Sequence, residues 1–146
     1  MKSSCGKEEH LKELEVIARL DNLNKVMAFV DETLENEGCS LRVQMQIDVA
    51  VEEIFVNIAQ YAYGQGEGNV TVRIDTESVP GQAAITFIDG GIPFDPLKVR
   101  EPDVTLAADQ REIGGLGIFM VRKSMDDVKY EYADKKNTLI LKKKFK

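Results

Sequence analysis

The stretch VEEIFVNIAQYAYG, residues 51–64, holds the pattern on which the fold turns. Ile54, Phe55 and Ile58 recur at helical spacing, and Ile47, Ala50 and Val51 carry the same stripe toward the N-terminus. This predicts a helix capped by Ser40 and running to about Tyr63. Glu53 and Asn57 sit at the edge of that stripe. Four residues apart on a helix, they are neighbours, about 5–6 Å between Cβ atoms. Gln60 extends the pair by another turn, whereas Asp48 and Glu52 fall on a different, solvated face. A carboxamide oxygen is a hard, neutral ligand that suits Mg²⁺, and a carboxylate beside it suits a proton acceptor. Taken alone, a helix rim touching solvent is the plainer reading of the pair.

On the N-terminal side, LKELEVIARL (11–20) alternates at Leu14, Val16 and Ala18, which predicts a strand. DNLNKVMAFVDETLENEG (21–38) predicts a helix with Asp21 as N-cap, Leu23, Val26, Met27 and Val30 on one face, and Gly38 as its stop. On the C-terminal side, GQGEGN is a turn, and VTVRID (70–75) and AAITFID (83–89) alternate as strands joined through VPGQ. Residues 90–115 are rich in Gly, Pro and Asp and predict an irregular segment, a length that in a compact domain usually serves function. LGIFMVRKSMD reads as a helix opened by glycines, and DVKYEYA and NTLILKKKF read as a closing hairpin. The order is strand, two helices, two strands, loop, helix, two strands. It predicts an α+β fold, a two-layer α/β sandwich whose mostly antiparallel mixed sheet carries helices on one face.

The chain has 146 residues, 43% of them hydrophobic and 30% charged, which predicts one domain over 1–146 with a real core and residues 1–10 as a flexible N-terminus. No apolar run is long enough for a bilayer and no signal-peptide core opens the chain, so the expectation is a cytoplasmic protein without a membrane partner. A net charge of −6 argues against a nucleic-acid surface, and the lysines of LKKKFK read as a solvated strand end. Cys5 and Cys39 fit no metal spacing; a reduced pair is expected, with a disulfide as the alternative. The one histidine, His10, lies near the chain end and supports no histidine-based catalysis.

Two further motifs carry chemistry. In DGGIPFDP (89–96), Asp89 ends a strand, where a carboxylate can accept from an exocyclic amine, and Gly91 permits the close backbone approach of a flat base. An ordinary Asp-Gly turn is the plainer reading. In GGLGIFMV (114–121), glycines open a helix and leave free N–H groups at the positive end of its dipole, a setting that suits phosphate. Neither the Walker pattern nor the dinucleotide fingerprint fits it.

In this order, EEIFVN, DGGIPFD and GGLGIFMV resemble the N, G1 and G2 boxes of the GHKL or Bergerat ATP-binding fold, shared by gyrases, histidine kinases and MutL. The wider segments AVEEIFVNIAQYAY and GGLGIFMVRKSMDDVKY are similar to bacterial anti-sigma factor serine/threonine kinases, and the likeness runs from about residue 11 to the end. The resemblance implies Glu53 as the general base and Asn57 as the Mg²⁺ ligand. It implies Asp89, Gly91 and Thr138 at the adenine. It places Gly114, Gly115, Leu116 and Gly117 at the phosphates and a lid over 97–113. It further implies ATP as cosubstrate, a homodimer, and a STAS-domain anti-anti-sigma protein or a sigma factor as partner. A non-catalytic ATP-dependent sequestering module and a detached histidine-kinase catalytic domain are the alternatives. Glu53 favours catalysis, because a pure binder needs only metal and base contacts. The chain departs from the family pattern at Ile58, often a small residue, and at Tyr61, often a histidine.

Overall fold

A computed structural model of the chain describes residues 11–96 and 115–146. The first strand, β1 (Leu11–Ile17), leads through a 3-10 turn (Leu20–Asn22) into α1 (Leu23–Asn36). Helix α2 (Leu41–Asn57) follows and widens into a π-helical turn (Ile58–Ala62). Then come β2 (Asn69–Asp75), β3 (Gln82–Asp89), α3 (Gly115–Ser124), β4 (Asp127–Ala133) and β5 (Lys136–Lys144). The strands form one sheet in the order β1-β2-β3-β5-β4. All four pairings are antiparallel. The expected α+β class holds.

Strand alternation builds one layer. β2 buries Val70, Val72 and Ile74; β3 buries Ala83, Ile85, Phe87 and Asp89; β5 buries Asn137, Leu139 and Leu141. Cross-strand partners keep these on one face, with Asp89 opposite Asn137 and Phe87 opposite Leu139. The other layer is helical. Val26, Val30 and Leu34 of α1 and Ile47, Ala50, Val51, Ile54 and Phe55 of α2 complete the core. Phe55 and Phe87 are fully buried, and each contributes roughly 1.5–3 kcal/mol over an exposed ring.

Local chemistry sets the helix ends. Ser40 caps α2 as expected, its hydroxyl oxygen accepting from the Val43 N–H at 3.2 Å. Gly38 stops α1 in the left-handed region at φ 73°, while the Cys39 N–H reaches the Leu34 carbonyl. Asp21 is not the N-cap of α1. It lies in the 3-10 turn, where Arg19 donates to its carboxylate at 3.1 Å, and Asn22 takes the cap position.

The expected helix to Tyr63 also differs in kind. It is α-helical to Asn57 and π-helical from Ile58 to Ala62. A π turn holds more residues than an α turn, so the face that carries Asn57 returns at Tyr61 and Ala62 rather than at Gln60. Gln60 is accordingly exposed and does not extend the stripe. No helix among the described residues is long and apolar enough to cross a membrane. The expected flexible N-terminus, Cys5, the lid at 97–113 and Gly114 lie outside the described residues.

Candidate functional site

The end of α2, the loop after β3, the first turns of α3 and the adjoining stretches of β4 and β5 surround a cavity of about 260 Å³. That is just under the usual small-molecule range, which begins near about 300 Å³. Ile54, Ile58, Phe87, Ile118 and Leu139 make its walls apolar. Asn57, Asp89, Asn137 and Tyr130 supply the polar points. An apolar slot with a few convergent polar groups suits a flat, partly polar ligand.

Asp89 ends the core-facing row of β3 and is 6% exposed. A carboxylate buried there needs donors. The Gly91 N–H reaches its Oδ1 at 2.9 Å, and Asn137 Nδ2 reaches the same oxygen at 3.0 Å. Burial pushes the Asp89 pKa up, and those two hydrogen bonds oppose the shift. Among the described residues no donor reaches Oδ2, so that oxygen remains to accept from a ligand.

Glu53 and Asn57 are brought together as the spacing predicts. Asn57 Nδ2 donates to Glu53 Oε2 at 3.0 Å. This orients the amide and leaves Asn57 Oδ1, a hard neutral oxygen of the kind that can hold a magnesium ion, without a partner among the described residues. Asn57 lines the cavity, and both side chains are half-buried.

The backbone of α3 places Gly115, Leu116 and Gly117 in its first turn, and Ile118 reaches the cavity. Gly91 is also at the site, but its bareness answers to the chain's own backbone. A Cβ there would lie 2.2 Å from the Ala62 carbonyl oxygen, which already accepts from the Ile92 N–H at 2.8 Å.

Thr138 is the exception. In β5 it pairs with Ile88 of β3, and it alternates onto the sheet face away from Asp89. A strand turns its side chains over at every residue, so the cleft receives the preceding residue, Asn137. Sequence reasoning missed Asn137, which is 6% exposed. Its signal was present: Asn137, Leu139 and Leu141 share one parity, so the carboxamide stands in a core-facing row.

Two tyrosines were missed as well. The Tyr130 hydroxyl donates to Asn137 Oδ1 and accepts from the Phe94 N–H at 3.2 Å. The Tyr63 hydroxyl donates to the Asn69 carbonyl at 2.6 Å and accepts from the Gly90 N–H at 2.7 Å. Burial raises the pKa of both phenols. Together they tie the loop after β3 to the sheet and to the end of the π turn.

Known proteins resemble this chain in sequence and fold. A family model described as a histidine kinase-like ATPase domain matches residues 16–143. A serine-protein kinase RsbW of Listeria monocytogenes is 32% identical over 101 residues, covering 65% of this chain and 62% of the relative. A serine/threonine-protein kinase BtrW of Bordetella bronchiseptica is 22% identical over 102 residues, covering 70% of this chain and 71% of the relative. The match thus spans less than two thirds of the Listeria protein's own length. Two solved structures share the fold. The RsbU and RsbW domains of a Mycobacterium tuberculosis protein superpose with a TM-score of 0.59 at 15% identity, over 91% of this chain and 32% of that one. The SiaB–SiaC complex of Pseudomonas aeruginosa gives 0.58 at 14% identity, over 98% of each chain. With the family model covering nearly its whole length, the chain belongs to the histidine kinase-like ATPase domain family.

Proposed function

We propose that the chain binds Mg-ATP in this cleft and is a serine/threonine protein kinase of the anti-sigma factor type, acting on a STAS-domain protein. The observation that carries the reading is the buried Asp89 carboxylate at the wall of an apolar slot, with two protein donors on one oxygen and none from the described residues on the other. An exocyclic base amine satisfies that second oxygen, and the slot takes the ring. The names of the RsbW and BtrW relatives support the kinase class, and the SiaB–SiaC complex supports a protein partner. The resemblance adds a cytoplasmic homodimer to the reading.

At the other polar point, Asn57 Oδ1 would hold the magnesium ion, which when bound offsets the charge of the phosphates. The first turn of α3, with Gly115, Leu116 and Gly117, presents backbone N–H groups of the kind that hold phosphate oxygens. Glu53 stands one turn from Asn57 and accepts its amide N–H. Its carboxylate is thereby oriented to take the proton of an attacking hydroxyl from a partner protein.

The test is transfer of labelled γ-phosphate to STAS-domain proteins, alongside calorimetric ATP binding. Asp89→Asn should lose about tenfold or more in ATP affinity, because a charged acceptor is replaced by a neutral one. Glu53→Gln should bind ATP nearly as the unmutated protein does, yet transfer phosphate more slowly by roughly 10²–10⁴-fold. Equal transfer rates with and without Glu53 would remove it as the base. Tight ATP binding with no labelled partner would favour the sequestering module.

A further inference from the structure

Asn137 has its orientation fixed from both ends of its amide. On the nitrogen side, Nδ2 donates to Asp89 Oδ1 at 3.0 Å and to the Ile92 carbonyl at 2.9 Å, with the Gly91 carbonyl at 3.4 Å. On the oxygen side, Oδ1 accepts from the Tyr130 hydroxyl and from the Phe94 N–H at 3.2 Å. A flipped amide would set its NH₂ against the Phe94 N–H and its oxygen against Asp89 Oδ1 and the Ile92 carbonyl, so the contacts select one orientation. The residue is buried at the start of β5, directly across the sheet from Asp89.

We propose that Asn137 is the positioning residue for base selection: it holds Asp89 Oδ1 and the 91–94 backbone so that Asp89 Oδ2 alone meets the exocyclic amine of the base. The inference rests on the ATP-binding reading and goes beyond it by assigning the amine preference to a carboxamide that touches the carboxylate. The physical reason lies in the freedom of a carboxylate. Its two oxygens exchange by rotation about one torsion that is broad and roughly two-fold. Gly91 N–H and Asn137 Nδ2 both hold Oδ1, and two donors on that oxygen narrow the torsion more than one does. Without Asn137 the carboxylate turns about the single remaining hydrogen bond, and its acceptor lobe no longer aims at one ligand position. Among the described residues, the titratable groups coupled to Asp89 are Tyr63 and Tyr130, with Asp95 acting on Tyr130, and neither phenol is a cation able to replace the lost donor.

Tyr130 acts through Asn137. Removing its hydroxyl leaves Phe94 N–H on Asn137 Oδ1 and leaves every Nδ2 contact in place. Its loss should therefore cost less than the loss of Asn137 itself.

The experiment compares binding of ATP and of inosine triphosphate, whose base lacks the exocyclic amine, to the full chain with magnesium by calorimetry. For the unmutated protein ATP should bind more tightly by about tenfold or more, one charge-assisted hydrogen bond's worth. Asn137→Ala should lower ATP affinity by about tenfold while changing inosine triphosphate affinity by less than about threefold, so the preference collapses. Asn137→Ser, which keeps one donor, should restore part of the preference, and Tyr130→Phe should retain most of it. A purely structural role would lower both affinities together, and that result overturns the proposal. An unchanged preference in Asn137→Ala and Asn137→Ser overturns it too. Should Asn137→Ala lose its cooperative melting transition, the serine variant decides by the same ratio. If the unmutated protein binds neither nucleotide, the ATP-binding reading fails and the inference falls with it. If it prefers ATP and the variants keep that preference, only the inference fails.

Discussion

Gly91→Ala tests the junction between the π turn and the loop after β3. An added Cβ would stand 2.2 Å from the Ala62 carbonyl oxygen, 2.5 Å from its carbon and 2.6 Å from the Ala62 Cβ. Two of those atoms are backbone, so no side-chain rotation relieves the contact. Either the loop or the π turn must move by roughly 1 Å to reach ordinary packing distance. Overpacking of this kind costs about 1–3 kcal/mol. The same shift strains the Ile92 N–H bond to the Ala62 carbonyl, now 2.8 Å, which adds about 1 kcal/mol if it is lost. The expected destabilisation is therefore about 2–4 kcal/mol.

Urea unfolding followed by far-ultraviolet circular dichroism measures it. With a slope of about 1–3 kcal/mol per molar, the midpoint should fall by roughly 1–2 M. Gly90→Ala is the internal control, since its Cβ would meet only the Tyr63 hydroxyl at 3.7 Å, an ordinary contact. That variant should stay within about 0.5 kcal/mol of the unmutated chain. If the two alanines shift the midpoint equally, the close approach to Ala62 is not what Gly91 is for.

Two other outcomes follow from the fold. The β4–β5 hairpin turns through Asp134 at φ 54° and Lys135 at φ 62°, both left-handed, so Lys135→Gly should raise stability by about 1 kcal/mol in the same urea assay. Between α1 and α2, Asp48 is not solvated as the sequence suggested: the pKa of its carboxyl is pushed up to about 7, first by burial, then by the adjacent Asp31 carboxyl and by the charges of Glu35 and Glu52, and Oδ1 of both Asp48 and Asp31 is buried without a hydrogen-bond partner. The folded chain thus holds a proton that the unfolded chain releases above its ordinary 3.8, so this stabilising contribution is complete below that value and is lost as pH rises through about 7. The full shift corresponds to roughly 4 kcal/mol, which solvent screening reduces to about 1–2 kcal/mol; Asp48→Asn should flatten that slope in urea midpoints taken from pH 4 to 8.

Where the sequence was informative, the physics was periodic. The stripe from Ile47 to Ile58 and the alternation of Val70, Val72 and Ile74 each bury one face, so both elements lie where the pattern puts them. Glu53 and Asn57 were legible because an α-helix guarantees that residues four apart are neighbours. The π turn was not legible, since an extra residue in a turn leaves no compositional mark in IAQYA, and the place of Gln60 was lost with it. Thr138 was carried over from a family motif, and a strand punishes a shift of one residue by changing the face. The parity of Leu139 and Leu141 pointed to Asn137 instead. Tyr63 and Tyr130 were beyond reach because their partners, Gly90 and Phe94, are 27 and 36 residues distant.

The cleft concentrates the costs that the rest of the chain avoids. The other buried residues on the core face of the sheet are aliphatic or aromatic, yet its edge at the cleft carries Asp89 beside Asn137. A carboxylate so deeply buried is unfavourable unless donors compensate it, and the protein supplies two to one oxygen and none of its described residues to the other. For stability alone, an aliphatic residue continuing the row from Phe87 would pack better. The half-satisfied carboxylate makes sense when its remaining valence belongs to a ligand that arrives with an amine and a flat apolar ring. Tyr63, Tyr130 and Gly91 then have one common consequence: each helps hold the 89–94 loop against an element that carries the site, which keeps the Asp89 carboxylate at the wall of the cleft.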